Sequence, residues 1–313
     1  MDSWMRVLEV RLRSKYGRQE LIFGDQWKKG KVDLNIQVSG HKYMSSLKDS
    51  CTIKISNLTY NEIVQIIDGK FYDVEIIAGY RNGNQTTFFK GGVLYISNSL
   101  DDTKTNTVYI LCASELVAKY GQSRINLTLN SGINLYSAIS YLLRLSGVRD
   151  SNISQEFKRK MLIDSTVIEN TSAEWLNKLV ESHQTYIVNS DSSTGGSVTL
   201  FDISKSYSRL IYLKKENIAL IGGYPQLTND GLRMTVLPQI SFKCGDTIKI
   251  DNSLISVPTK SQAEVEQNYG YYLDKDGLYT IYEIDFNLTN RNSDFSVNIL
   301  ARSKNLMSNV TSG

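Results

Sequence analysis

Histidine, cysteine and proline are scarce in this chain, and each shortage closes a route. The 313 residues hold only two His, His41 and His183, so the residue type that most often shuttles protons or ligates metals is nearly missing. Three Cys, at positions 51, 112 and 244, are far apart and show no CxxC spacing. That argues against a disulfide framework or a zinc site and fits a reducing compartment of synthesis. Each Cys lies in an apolar or alternating run, the setting of a small buried hydrophobe. No run approaches the ~20 apolar residues of a membrane span, so no membrane insertion is expected. The chain opens with an acidic residue at position 2 and runs directly into a strand pattern, so no signal peptide is expected. Charge has little bias either. The 35 basic and 32 acidic residues are interspersed, for a net +3, and without a Lys/Arg cluster nucleic-acid binding is not the main task. With only 3 Pro against 19 Tyr, and much Ser and Thr, the composition favours pleated sheets and broad polar-aromatic contact surfaces.

What is present is strand-like alternation at both ends and helical periodicity between them. Residues 5–13 set Leu8, Val10 and Leu12 against Val7, Glu9, Arg11 and Arg13. Residues 19–23 return, and Val32, Leu34, Ile36 and Val38 continue the period of two. Residues 53–97 are the organising stretch. An alternating strand at 51–55 leads into the capping-box pattern Thr59-Tyr60-Asn61-Glu62. A short helix follows, with Ile63, Ile66 and Ile67 on one side and Asp68-Gly69 at its end. A hairpin then places Val74, Ile76 and Ala78 on one face. It turns at Arg81-Asn82-Gly83-Asn84, where Asn and Gly tolerate positive φ, and returns over 88–97. This reads as a β-barrel module plugged by a small helix. In the middle, Leu135, Ala138, Ile139, Leu142 and Leu143 fall at helical spacing before Gly147. A short helix is expected over 156–162. Thr171-Ser172-Ala173-Glu174 opens another helix carrying Trp175, Leu176, Leu179 and Val180, and a hairpin turns at 191–196. Strands resume at 210–213, 218–221, 232–236 and 245–250. A polar loop is expected at 259–270, and a last long hairpin sets Thr280, Tyr282, Ile284, Phe286 and Leu288 on one face. The expected fold class is α+β, mostly β: two tube-type antiparallel β-barrel domains at 1–118 and 206–313 flanking a small α+β insert at 119–205.

No constellation carries chemistry. His41 follows Gly40 between strand-like segments and reads as a loop or surface residue, while His183 reads as a helix cap or core residue. Cys51 lies on an alternating strand with no activating helix N-terminus, so a Cys51/His41 nucleophile and base is not supported. Asp101-Asp102 and the pair Asp274/Asp276 read as solvated loops, since the calcium-loop pattern begun at Asp274 lacks its terminal Glu. Gly91-Gly92 reads as a bend inside a strand, and Gly222-Gly223 is no phosphate loop. No catalytic, cofactor or metal site is therefore expected.

The order of elements and three short motifs carry a resemblance. Ile53-Lys54-Ile55-Ser56-Asn57-Leu58, Val74-Glu75-Ile76-Ile77-Ala78-Gly79-Tyr80 and Phe89-Lys90-Gly91-Gly92-Val93 resemble the first barrel of baseplate hub proteins of contractile-tailed phages and related bacteriocins. Phe242-Lys243-Cys244-Gly245-Asp246-Thr247-Ile248, Gly277-Leu278-Tyr279-Thr280-Ile281 and the last hairpin resemble that family's second barrel. The resemblance implies a homotrimer in the virion tail baseplate, synthesised in the host cytoplasm. Its pseudo-six-fold ring would join the tail tube protein to the central spike protein, contact other baseplate proteins and let DNA pass through the lumen. The hairpin at 73–97 would reach the neighbouring subunit. Without an appended lysozyme domain it would be a structural hub and not an enzyme. The alternatives are a tail-tip cell-wall hydrolase and a glycan- or receptor-binding β module.

Overall fold

Period-two alternation in the outer thirds of the chain becomes strand, and helical periodicity in the middle becomes helix. The computed structural model describes residues 5–14, 19–24, 34–100, 106–120, 124–148, 151–169, 171–182, 186–191, 197–202, 209–215, 223–228, 230–257, 273–291 and 293–303. The first third contributes β1 (Arg6–Ser14), β2 (Glu20–Phe23), β3 (Asn35–Tyr43), β4 (Ser50–Ser56), helix α1 (Tyr60–Asp68), β5 (Phe71–Tyr80), β6 (Gln85–Leu100) and β7 (Asn106–Ala113). The middle holds β8 (Leu127–Leu129), α2 (Leu135–Leu145), β9 (Ser151–Ile153), β10 (Thr166–Ile168), α3 (Ser172–Ser182), β11 (Tyr186–Asp191) and β12 (Ser197–Asp202). The last third adds β13 (Leu210–Tyr212), β14 (Gln226–Thr228), β15 (Gly231–Val236), β16 (Thr247–Lys249), β17 (Leu278–Thr289) and β18 (Phe295–Ser303). The expected helix at 156–162 is a 3-10 turn, Gln155–Arg159. The strand expected at 218–221 and the loop at 259–270 lie outside the described residues.

The two outer thirds are joined backbone to backbone. Their strands make one 13-stranded sheet in the order β14-β15-β18-β17-β3-β4-β7-β6-β5-β1-β2, with β16 also on β17 and β13 on β16. Its pairings are antiparallel except β13 with β16. The joint is the β3–β17 ladder, running from Gln37 opposite Thr289 to Tyr43 opposite Glu283. One hydrophobic core follows from it, holding Val10, Ile53, Ile76 and Ile110 together with Met234, Ile248, Ile284 and Phe286. The sheet curls until its β1 side returns to the β17–β18 turn. There the Arg6 guanidinium donates to the carbonyls of Thr289 (3.5 Å) and Ser293 (3.2 Å) and lies 5.0 Å from the Phe295 ring centroid. Tyr80 meets Phe295 edge to face at 5.6 Å, a favoured aromatic geometry.

Three irregularities decide which side chains face this core. Register slips in β5–β6 between Ile76 and Ile77, so Phe88 is the extra residue, and both Phe88 and Phe89 are buried. A second slip in β6–β7 falls at Leu94, two residues beyond Gly92, and leaves Leu94 half-exposed. A third, in β17–β18, falls at Tyr282. Before it Tyr279 and Ile281 enter the core, and after it Ile284, Phe286 and Leu288 do. The single face expected for Thr280, Tyr282, Ile284, Phe286 and Leu288 is therefore split, and Tyr282 packs instead under Arg302, 4.5 Å away.

Helix signals are met with small corrections. Thr59 caps α1 as a capping box: its hydroxyl accepts from Glu62 N (3.3 Å) while the Glu62 carboxylate accepts from Thr59 N (2.8 Å). Ile63 and Ile66 are buried but Ile67 is exposed. Gly69 stays right-handed, and it is Lys70 that takes positive φ (47°). Gly69 is needed for space, because a Cβ there would strike the Phe71 ring and the Gln65 carbonyl. No residue of the turn at 81–84 adopts positive φ. Thr171 accepts from Glu174 N (3.2 Å) at the start of α3. The middle third has its own core of Leu135, Ile139, Leu143, Phe157, Leu176 and Leu200. Met44 and Leu47, from the β3–β4 connection, pack against it and tie it to the sheet.

Gly40 lies opposite Phe286 in the joining ladder, and a Cβ at Gly40 would enter the Phe286 ring. Gly40→Ala is expected to destabilise the fold by ~1–3 kcal/mol through overpacking, read by urea denaturation. Adding Phe286→Leu should recover part of that loss; full additivity of the two changes would show that the ring contact is not its cause.

Candidate functional site

Across the joining ladder, alternate residues share a face. His41 stands opposite Asp285 and Tyr43 opposite Glu283, so these four side chains project together from the outer surface. His41 Nδ1 bonds the Asp285 carboxylate, and Nε2 lies 3.7 Å from Glu283 Oε1. The Tyr43 ring meets the imidazole edge-on at 3.7 Å between centroids, and the Lys48 ammonium lies 5.7 Å from the Tyr43 centroid. Burial first, and then the Glu283 and Asp285 charges, push the Tyr43 phenol above its ordinary range. Nε2 of His41 is buried and has no hydrogen-bond partner among the described residues. The cluster borders two grooves, of about 300 and 260 Å³, and Glu283 lines both. Arg233, Thr235 and Asn298 line the first; Tyr43, Lys48 and Arg302 line the second.

Lys42, on the other side of β3, and Asp49, in the β3–β4 connection, are half-buried. Asp49 accepts from the Tyr43 backbone N–H (2.9 Å). Burial pushes its carboxyl up to about 7, against the opposing pull of that N–H and of the Lys42 charge. Burial likewise lowers the Lys42 ammonium. The Cys51 and Cys244 thiols are driven well above their ordinary value, mainly by burial, and Cys112 to about 12. These thiols are held protonated, which removes them as nucleophiles.

The sequence-derived candidates scatter. His41 is on a strand, not in a loop, and the carboxylates missing from its sequence neighbourhood arrive from β17, 244 residues away at Asp285. Cys51 pairs with Gly40 rather than with His41 and points into the core, so thiol and imidazole lie on opposite sides of the sheet. Asp274 is buried, not solvated. Its Oδ1 accepts from the N–H of Asp276 and of Leu278 (3.0 Å each), and its Oδ2 from Ser303 Oγ (2.7 Å). These bonds fix the turn into β17. Gly91 and Gly92 are required for close packing on the Ala113 carbonyl and on Ala118. His183, Asp101, Asp102 and Gly222 lie outside the described residues. Glu283 and Asp285 were missed; the one local signal for them is polar alternation in the segment Ile281–Leu288 of β17.

In the hairpin expected to reach a neighbour, β1 flanks β5, while β6 pairs with β5 from Gln85 to Gly92 and with β7 from Gly92 to Leu100, so each half of β6 has a strand on one side only among the described residues. The described edge strands are β2, β14 and β13. Of these β14 is partly covered through a bridge from Gln226 to Ser256. Tyr212 on β13 is exposed, as are Tyr60, Tyr95 and Tyr224.

No family model and no curated protein matches the sequence. The structure does match solved ones over nearly its whole length. A 43 kDa tail protein of prophage MuSo2 from Shewanella oneidensis aligns over 96% of this chain and 98% of its own, at 11% identity and a TM-score of 0.57. A tail protein from Neisseria meningitidis aligns over 97% and 98%, at 10% identity and 0.56. The E. coli c3393 protein is a type VI secretion component with structural similarity to the T4 bacteriophage tail proteins gp27 and gp5. It aligns over 87% of this chain and 74% of its own, at 10% identity and 0.53. The chain thus has the fold of phage tail proteins.

Asp49 sets a pH dependence. An acid whose folded value lies above its ordinary 3.8 lends stability in full at low pH and loses it as pH rises toward about 7. Asp49→Asn keeps the acceptor for Tyr43 N–H and removes the titration. Denaturation curves between pH 4 and 7 should show the wild type losing more than ~1 kcal/mol relative to Asp49→Asn; parallel curves would refute this.

Proposed function

We propose that the protein is a structural baseplate hub of a phage or phage-derived tail. It acts as a homotrimer whose ring adapts the six-fold tail tube to the three-fold central spike and lets DNA pass. The observation that carries this reading is the alignment with tail proteins along essentially all of both chains. A shared module alone would leave much of one chain uncovered. On this reading residues 1–118 and 206–313 each supply one tube-type barrel, and 119–205 form the insert. Two such modules in each of three subunits make a pseudo-six-fold ring, which is what a six-to-three adaptor requires. The edge strands β2 and β13 suit closure between subunits, since an unpaired edge is a hazard that assembly removes. Exposed Tyr212 beside one edge adds a contact group of the kind enriched at interfaces. The partners are the tail tube protein, the central spike protein and other baseplate proteins, and the site of action is the virion tail.

Light scattering and end-on electron microscopy of the full chain test this reading. A trimer, or three-fold rings, is expected. A chain that stays monomeric at high concentration, alone and mixed with tube and spike proteins, overturns it, as does peptidoglycan cleavage by the purified protein.

A further inference from the structure

We infer that His41, Glu283 and Asp285 form a divalent transition-metal site that clasps the first and last thirds of the chain across their joining ladder. The argument starts from the proton on the imidazole. Nδ1 bonds the Asp285 carboxylate, which accepts only, so Nδ1 carries a hydrogen, and in the neutral imidazole Nε2 then presents its lone pair. That nitrogen is buried, has no hydrogen-bond partner among the described residues, and faces a second acceptor, Glu283 Oε1, at 3.7 Å. Two acceptors turned toward each other repel unless a cation lies between them. The separation is too long for a hydrogen bond but close to the ~3.3 Å edge of a tetrahedral zinc site with bonds near 2.05 Å.

The donor set points the same way. One imidazole nitrogen with a carboxylate oxygen selects Zn²⁺, Co²⁺ or Ni²⁺ over Mg²⁺ and Ca²⁺, which prefer all-oxygen shells. A histidine ligand whose other nitrogen is held by a carboxylate is the usual outer-shell arrangement of such sites, and Asp285 supplies it. One oxygen each from Glu283 and Asp285 and one nitrogen of His41 lie within 4.8 Å of one another. Asp285 is the more exposed carboxylate, and a small movement would let it ligate directly. The grooves on either side give water access for the remaining coordination positions, and Glu283 borders both. His41 and its two partners sit on β3 and β17, the strands whose pairing unites the sheet. An ion held there would oppose opening of that ladder directly.

Zn²⁺ titration of the untagged, EDTA-treated full chain tests this, by calorimetry and by thermal unfolding. One ion per chain and a raised melting midpoint are expected, with no change from Mg²⁺. His41→Ala and Glu283→Gln should abolish the zinc shift, and Asp285→Asn should weaken binding ~10–100-fold. Glu283 and Asp285 are surface side chains, so their variants keep the fold, as circular dichroism would verify. Co²⁺ loaded in place of Zn²⁺ should give visible absorption bands that Glu283→Gln removes. Absence of zinc binding, or a zinc shift equal in the wild type and Glu283→Gln, overturns the proposal. So does stabilisation that follows acidification alone and is indifferent to zinc, which would make a proton the occupant.

Discussion

The pairing of β3 with β17 is the contact on which the rest depends. It joins strands from the first and last thirds of the chain, and closing so long a loop carries an entropic cost that grows only slowly with length. What offsets it is continuity. Once the ladder forms, strands from both outer thirds become one sheet over one core, and both thirds bury their apolar faces together. Gly40 makes the close approach possible, because the Phe286 ring occupies the volume that any side chain at position 40 would need. Arg6 then ties β1 back to the far hairpin turn.

Bulges do the fine adjustment. A strict period of two would place Phe88 and Phe89 on opposite faces, yet both are buried because one extra residue is absorbed between them. At Tyr282 the same device changes which parity faces inward along β17. One consequence is that Glu283 and Asp285 emerge together on the outer face beside His41. A local irregularity in β17 thereby sets the chemistry of the surface, linking backbone register to a titratable cluster at the joint.

A proposed role in assembly follows from shape. The buried thiols are inert, and the buried Asp274 is committed to a turn. The middle third, with a separate core seated on the β3–β4 connection, adds bulk and surface without interrupting the sheet. Tail proteins of about 10% identity share the overall fold, as expected where a packing pattern, and not a set of reactive groups, defines the fold.

Local structure was legible in the residues. The Thr59/Glu62 and Thr171/Glu174 caps, the α2 stripe from Leu135 to Leu143, and the β5–β6 and β17–β18 hairpins all rest on interactions within a few positions. Their spacing in the sequence therefore specifies them. The tertiary structure alone decided that the outer thirds share a sheet, that Phe88 and Tyr282 sit at bulges, and that His41 faces Glu283 and Asp285. Each of these is a choice of register between paired strands, as distant in sequence as β3 and β17, settled by which pairing buries the most apolar surface. No periodicity in a single segment contains that comparison.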